Sequence, residues 1–339
     1  MVNFNNVEIV RAIMHRVSAK TGGNDAQVFP SNSLLNLDED AKQIIKERLV
    51  AAFGRQSKSF ELEIDDEGAG SCFSIVNSLR STAGNDEQFI NLSIEIAQKL
   101  ADSQRLSRIP GGFLLVVHCL YNNRPLCVLI KAEPHAALGV SQLNVQTIKN
   151  IILSPEQKLY KAAYYEQKRD VADGDSLTKS DYRVVLFDNN VSSGTIIAQY
   201  FFKDFLGLSI NCNSKLQTSL FYHKMNEKIW KELEGMDAIN ASDALRVTVV
   251  NNANLTINPH DVITDVIPLA YRDVFINEIV DDFPNSFTKD TSLIDTRLVN
   301  KTITLSDNVK ISAPLSFFDN NVVVTEEEGA YMIRIQKQV

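Results

Sequence analysis

Cysteine and histidine are scarce in this chain, and their placement excludes the common sequence-defined metal sites. None of the four cysteines belongs to a Cys-x-x-Cys pair, so the sequence contains no zinc ribbon. The five histidines are scattered, and no His-Glu-x-x-His segment occurs. The chain also has no Gly-x-Ser-x-Gly elbow and no phosphate-cradling glycine loop. We therefore expect neither a metal nor an organic cofactor.

Long apolar runs and an excess of positive charge are missing as well. No segment approaches the roughly 20 apolar residues that cross a bilayer, and the N-terminal segment lacks the layout of a signal peptide. We expect a cytoplasmic protein that does not enter a membrane. The formal net charge is −8, which excludes a uniformly basic surface. Any binding of nucleic acid must then depend on a local basic patch.

The composition is that of an ordinary globular protein long enough for two domains. Hydrophobic residues make up 44% and charged residues 22% of the 339 positions. A polar turn, GDSLTKSD, separates two halves, which we place at residues 1–180 and 181–339. The first half predicts an α+β domain built from helices and an antiparallel hairpin or sheet. The second predicts a mainly helical region followed by a short β segment.

The first half contains two amphipathic helical patterns and one hairpin pattern. One helix begins near Asp38 and stops at Gly54, and a longer one begins at Asn85 or Asp86. Two apolar runs then follow Pro110-Gly111-Gly112, separated by a polar break at 121–125. A hairpin closed through that break places Cys119 roughly opposite Cys127. Two buried thiols are favoured over a disulfide in a cytoplasmic chain. TIKNIIL and KLYKAAYY fit either a strand or a helix.

The second half contains three helical patterns with recognisable ends. Ser192-Ser193 is expected to cap the helix SGTIIAQYFFKDFLG, which stops at Gly207. Another helix spans about 213–233. A third begins at Asn258-Pro259 and is broken at Pro268. The remaining residues predict strands joined by an acidic turn at 326–329.

The order of these segments resembles a known family. A long helix leads into GGFLLVVHCLYNNRPLCVLI, and TIIAQYFFKDFLGLS, a lysine-bearing helix, FPNSFTKD and VKISAPLSFF…GAYMIRIQK follow. The whole resembles the NdpA-type (YejK-like) nucleoid-associated proteins of bacteria, from about residue 7 onward, although the loops and Asn-rich turns differ. The resemblance implies association with double-stranded DNA in the nucleoid. It supplies no catalytic motif, so it favours a binding role.

The best candidate for phosphate binding is the segment 203–231. Its basic residues outnumber its two acidic residues, Asp204 and Glu227. The basic residues are Lys203, Lys215, Lys224, Lys228 and Lys231. The last three share one helical face, where cations could displace the counterions that DNA condenses. A solvated outer face with no ligand explains the same pattern.

A second basic cluster is interleaved with aromatic residues. It consists of Lys158, Lys161, Lys168 and Arg169, diluted by nearby acidic residues. Tyr160, Tyr164 and Tyr165 could stack on exposed bases. Half-buried packing groups are the simpler interpretation of the three tyrosines.

Two other function classes stay open. On an extended strand, Lys131, Glu133 and His135 alternate onto one face, as a metal-dependent nuclease could use, with Glu61, Glu63 and Asp65 as further carboxylates. A strand that ends in polar residues before Pro134, without a catalytic role, is favoured over a nuclease site. The chain could also be an adaptor subunit of a DNA-linked or phage-defence complex, with a protein partner, or a homo-oligomer. We favour a non-catalytic DNA-binding protein of low sequence specificity.

Overall fold

The computed structural model contains two compact units. It describes residues 2–55, 57–82, 84–133, 135–141, 144–151, 159–170, 177–192, 197–250, 255–304, 309–327 and 330–336, without side chains for the strands between 135 and 151. The first unit comprises Met1–Val191 with Ile197–Cys212, and the second comprises Ser192–Ile196 with Asn213–Val339. The division expected near residue 180 falls between two neighbouring strands of the first unit.

The first unit is built on one large antiparallel sheet. Its helices are α1 (Glu39–Phe53), α2 (Cys72–Leu79) and α3 (Asp86–Ser103). Its strands are β1 (Glu8–Val17), β2 (Val28–Phe29), β3 (Ser59–Ile64), β4 (Gly112–Tyr121), β5 (Arg124–Ala132), β6 (His135–Ser141), β7 (Asn144–Ile151), β8 (Lys161–Gln167), β9 (Tyr182–Asp188) and β10 (Leu208–Ser209). Eight of them pair in the order β10-β3-β9-β8-β5-β4-β1-β2, and β6 pairs with β7. This architecture confirms the predicted α+β class.

The central hairpin closes through a tighter turn than the sequence suggested. Asn122 and Asn123 have φ of 51° and 63°, the left-handed conformation that a two-residue hairpin turn requires. Tyr121 therefore pairs with Arg124. That register places Cys119 opposite Leu126, so the prediction that Cys119 lies opposite Cys127 was wrong by one residue. All four cysteines are free thiols.

The two glycines at the entry of the hairpin permit close backbone contacts. A Cβ atom on Gly112 would lie 2.4 Å from the carbonyl oxygen of Ala132, and one on Gly111 would lie 2.6 Å from the amide nitrogen of Ala19. No side chain fits at either distance. The Pro-Gly-Gly segment thus serves the packing of the sheet.

One face of the sheet is covered by α1, which brings aromatic side chains together. Ile45, Leu49 and Phe53 line the buried stripe of this helix. The Phe53 ring lies 5.3 Å from Phe4 and 4.8 Å from Tyr164, centroid to centroid. The two segments of ambiguous pattern are strands at 147–151, within β7, and at 161–165, within β8, because pairing with neighbouring strands decides their conformation.

The YFFKDF block forms a π-helix, Tyr200–Phe205, where a regular α-helix was expected. Phe201 and Phe205 are fully buried, with ring centroids 5.3 Å apart, so the block packs in the core. Gly207 ends it with φ of +64°. Ser193, half of the expected N-terminal cap, lies outside the described residues.

The second unit is mainly helical and ends in short strands. Its helices are α4 (Ser214–Glu232), α5 (Gly235–Val250), α6 (Pro259–Val266), α7 (Arg272–Ile279), α8 (Asp295–Leu298) and α9 (Leu315–Asn321). Its strands are β11 (Thr256–Ile257), β12 (Phe287–Thr288), β13 (Asn300–Thr304), β14 (Lys310–Pro314), β15 (Val322–Glu327) and β16 (Ala330–Ile335), each paired with its neighbour. No helix in the described ranges has the length and apolarity of a membrane span.

Helix ends in this unit follow from local side chains. The Asn213 side chain accepts a hydrogen bond from the Leu216 amide, 3.1 Å away, at the start of α4. Asn258 caps α6 in the same way, with Pro259 in the first turn. Helix α6 ends two residues before Pro268, which confirms the predicted break.

Candidate nucleic-acid interface

The second unit contains a broad, half-open cleft of about 730 Å³ whose walls are cationic. Two acidic residues, Glu227 and Asp243, line it. Five basic residues do so: Lys231, Arg246, Arg297, Lys301 and Lys310. The lining thus carries a formal excess of positive charge, although the whole chain carries a net charge of −8. Such a local excess suits an anionic ligand.

Three walls of secondary structure form the cleft. Helix α4 contributes Tyr222, Asn226 and Trp230, which recur every fourth residue and so share one face. Helix α5 contributes Ser242, Asp243 and Arg246. The third wall is α8 with the β13–β14 hairpin and contributes Arg297, Asn300, Lys301, Thr302, Lys310 and Ser312. Side chains far apart in sequence thereby face one space.

Asp243 fixes two of the cations at the floor of the cleft. Its carboxylate pairs with the Lys301 ammonium, and its Oδ1 lies 3.7 Å from Nε of the buried Arg246. Asp319 lies 3.9 Å from the same ammonium, which sits 4.9 Å from the centroid of the Phe318 ring. These contacts hold Lys301 in place before any ligand arrives.

The cations at the rim are more exposed. The Lys231 side chain is 73% exposed and lies 3.2 Å from Glu232, a contact that is weak in water. Lys310 is exposed on β14. Side chains of this kind can turn toward an approaching phosphate with little loss of existing contacts.

A buried phenol on α4 lies close to two guanidinium groups. Burial raises the pKa of Tyr222 above its usual value, and the charges of Arg297 and Arg246 act in the opposite direction. Burial also lowers the pKa of the neighbouring His223, whose Nδ1 lies 2.7 Å from the Ser219 carbonyl oxygen. Both side chains are therefore neutral near pH 7, and the positive potential comes from the lysines and arginines.

The lysines predicted on one face of α4 have different surroundings. Lys228 is 6% exposed, with its ammonium 2.6 Å from Glu278 and 5.2 Å from the centroid of the Phe275 ring. Lys224 pairs with Asp282. Lys231 points into the cleft and Lys215 is exposed in the first turn. A phosphate could reach Lys224 or Lys228 only by displacing a carboxylate.

The remaining predicted cations belong to the first unit and are dispersed there. Lys203 is exposed on the π-helix, and Lys168 is exposed just after β8. Arg169 bonds to Asp181, with 3.2 Å between Nη2 and Oδ2. Lys161 is buried and lies 2.7 Å from Asp188. Lys158 falls outside the described residues.

The tyrosines of the second cluster are packing groups in the described part of the chain. Tyr164 and Tyr165 are fully buried in β8. Tyr160 is half-buried just before that strand. Tyr164 and Tyr165 therefore offer no free ring face to a base, which agrees with the simpler interpretation of the sequence.

The Lys131 side chain, near the end of β5, is buried. This lysine is 1% exposed, and its ammonium donates to the Pro110 carbonyl oxygen at 2.9 Å and lies 3.5 Å from Glu133. Its pairing partner on β8 is Lys161, and the Tyr200 ring lies 5.9 Å from both ammonium groups. The His135 side chain is outside the described residues. Among residues that are described, no three histidine, cysteine or carboxylate groups converge as a metal site.

Sequence reasoning missed four of the five cations of the cleft. Arg246, Arg297, Lys301 and Lys310 are isolated in the sequence, so no run or periodicity joins them. The fold of the second unit is what brings all four to Lys231.

Comparison with known proteins identifies one family. The model described as nucleoid-associated protein YejK matches residues 13–242, about two thirds of the chain. A search of curated proteins returns no match. The matched range ends inside α5, so Lys231 lies within it and the other four cations of the cleft lie beyond it.

Proposed function

This chain belongs to the family of nucleoid-associated proteins described as YejK, and from that membership we propose that it binds DNA without cleaving it. The contacts are made to phosphates, and sequence specificity is low. The observation that carries the proposal is the cationic cleft of the second unit. We assign the phosphate contacts to Lys231, Arg297 and Lys310, because the Lys301 ammonium is already paired with Asp243.

Counterion release supplies the driving force for this binding. DNA carries condensed cations, and each phosphate neutralised by a lysine or arginine releases one into solution. A cleft with excess positive charge gains from that release even when the rest of the surface is acidic. The acidic remainder repels DNA and so restricts contact to the cleft.

Low specificity follows from the kinds of group in the cleft. Phosphate contacts fix the register of a protein on DNA and carry no sequence information. The sequence contains no zinc finger, no basic region leading into a leucine heptad and no aromatic signature of an RNA-recognition domain. Recognition therefore rests on charge and shape.

A charge-reversal pair tests the proposal. We expect Lys231→Glu combined with Lys310→Glu to abolish retention of a short duplex in a gel shift at low salt, because two cations become two anions at the rim. The matched control is Arg105→Glu combined with Arg108→Glu, which changes the net charge equally at exposed sites of the first unit. Equal retention by the two double variants would contradict the assignment of the cleft.

A further inference from the structure

We infer that the cleft of the second unit accepts a single DNA strand, with a base stacked on Trp230 and its phosphates on the surrounding cations. The inference rests on the proposed function and narrows it to a substrate class. The shared chemistry is that of a nucleoside phosphate, which an unpaired strand or a free nucleotide could supply. The ligand that we infer is the unpaired DNA strand.

The shape of the cleft favours one strand over the body of a duplex. Proteins that read a duplex project a helix or a β-ribbon into a groove about 12 Å wide. Here the cationic surface is concave, and its volume of about 730 Å³ lies in the range of pockets that enclose small ligands. A few nucleotides fit such a space, and a base-paired helix does not enter it.

Trp230 is positioned to stack. It lies on the cleft face of α4, two turns after Tyr222. From its other side it packs against the core of this unit, formed by Ile239, Ile303 and Phe318. An indole ring supported from behind loses little freedom when a base covers its open surface, and base–aromatic stacking tolerates any sequence.

The cations and hydrogen-bonding groups are arranged around that ring. Lys231 follows Trp230 directly, while Lys301 and Lys310 come from the facing hairpin. The cleft is also lined by amides and hydroxyls that can bond to base edges. Two pairs of them already contact each other, Ser242 with Asn226 at 3.0 Å and Thr302 with Ser312 at 2.8 Å. A charged track beside an aromatic ring is the usual composition of a single-strand site.

Trp230 is the one tryptophan of the chain, so its fluorescence reports directly on the site. We expect oligothymidylate to quench this fluorescence on titration at low salt, and to bind more tightly than a duplex of the same length. In fluorescence anisotropy with labelled oligothymidylate, Trp230→Ala should weaken binding about ten-fold. Trp230→Phe should retain most of the affinity, because phenylalanine keeps a ring that can stack on a base and pack against the core of the second unit. Lys20→Glu serves as the control and should bind as the unaltered protein does.

The outcomes separate this inference from the proposed function. Absence of binding to both DNA forms at low salt would remove the proposed function and this inference with it. Duplex binding without any change in Trp230 fluorescence on saturation with oligothymidylate would remove only the inference. Quenching by a nucleoside triphosphate but not by oligothymidylate would overturn the choice of a strand.

Discussion

At the scale of the residue, two buried histidines make the first unit sensitive to acid. Burial lowers the pKa of His15 and of His118 to about 4. The Nε2 of His15 lies 2.8 Å from the Ser93 hydroxyl, and its Nδ1 accepts from the Ser31 amide. Neither ring nitrogen of His118 has a hydrogen-bond partner among the residues that the structure describes. Both rings are therefore neutral in the folded protein at pH 7.

The free energy of unfolding should fall as the solution is acidified. In the unfolded chain each histidine takes up a proton below about pH 6.5, while the folded state takes it up only near pH 4. Stability is therefore complete above about pH 6.5 and decreases as the pH falls toward about 4. We expect a loss of about 2 kcal/mol per histidine by about pH 5, measured by urea unfolding followed by circular dichroism.

His118→Leu separates the contribution of one ring. Its surroundings include Val76, Leu79 and Cys127, so an apolar side chain fits there. The variant should lose about half of the pH dependence attributed to the two histidines. If its unfolding free energy varies with pH as steeply as that of the unaltered protein, the assignment to His118 is wrong.

At the scale of the element, the two-residue turn of the central hairpin sets the position of every side chain in the middle of the sheet. A shift of one residue would move each side chain of β5 to the opposite face. The Lys131 ammonium would then leave Pro110, Glu133 and the Tyr200 ring. The register depends on Asn122 and Asn123, since asparagine tolerates the left-handed conformation better than most residues.

Asn123→Val should destabilise the protein by about 1–2 kcal/mol, because a β-branched side chain at positive φ is strained. The control is Asn123→Gly, which adopts the same conformation without strain and should keep or raise stability. The midpoints of urea unfolding compare them. Equal midpoints for the valine and glycine variants would show that this turn does not limit stability.

At the scale of the whole molecule, a small cationic cleft on an acidic protein predicts a moderate dependence of binding on salt. Three phosphate contacts correspond to a slope of about −3 in a plot of log affinity against log salt concentration. Anisotropy titrations over a series of KCl concentrations measure the slope. Lys310→Gln should reduce its magnitude by about 1 for duplex DNA. A slope near zero would mean that binding does not proceed through phosphates.

Much of the fold could be predicted from the sequence, because the signals are local. The side chains of Asp38, Asn85, Asn213 and Asn258 cap helices where their positions indicated. The π-helix could not be predicted, since it depends on neighbouring elements, whereas the hairpin register depends on the local pair Asn122-Asn123, which the interpretation of 121–125 as one polar break overlooked. The cleft could not be predicted either, because only the fold of the second unit brings its residues together. Among the cations of the cleft, only Lys231 belongs to a pattern visible in the sequence. The residues that bury Lys228 lie on α7, far from it along the chain.

The burial of three lysines has a consequence for chemical modification. Lys131, Lys161 and Lys228 are each less than a tenth exposed and lie within contact distance of carboxylates, so their amines cannot attack an acylating reagent in the folded state. Lys231 and Lys310 are open to the same reagents. Acetylation would remove positive charge from the rim of the cleft and leave the core intact, so it would weaken DNA binding without unfolding the protein.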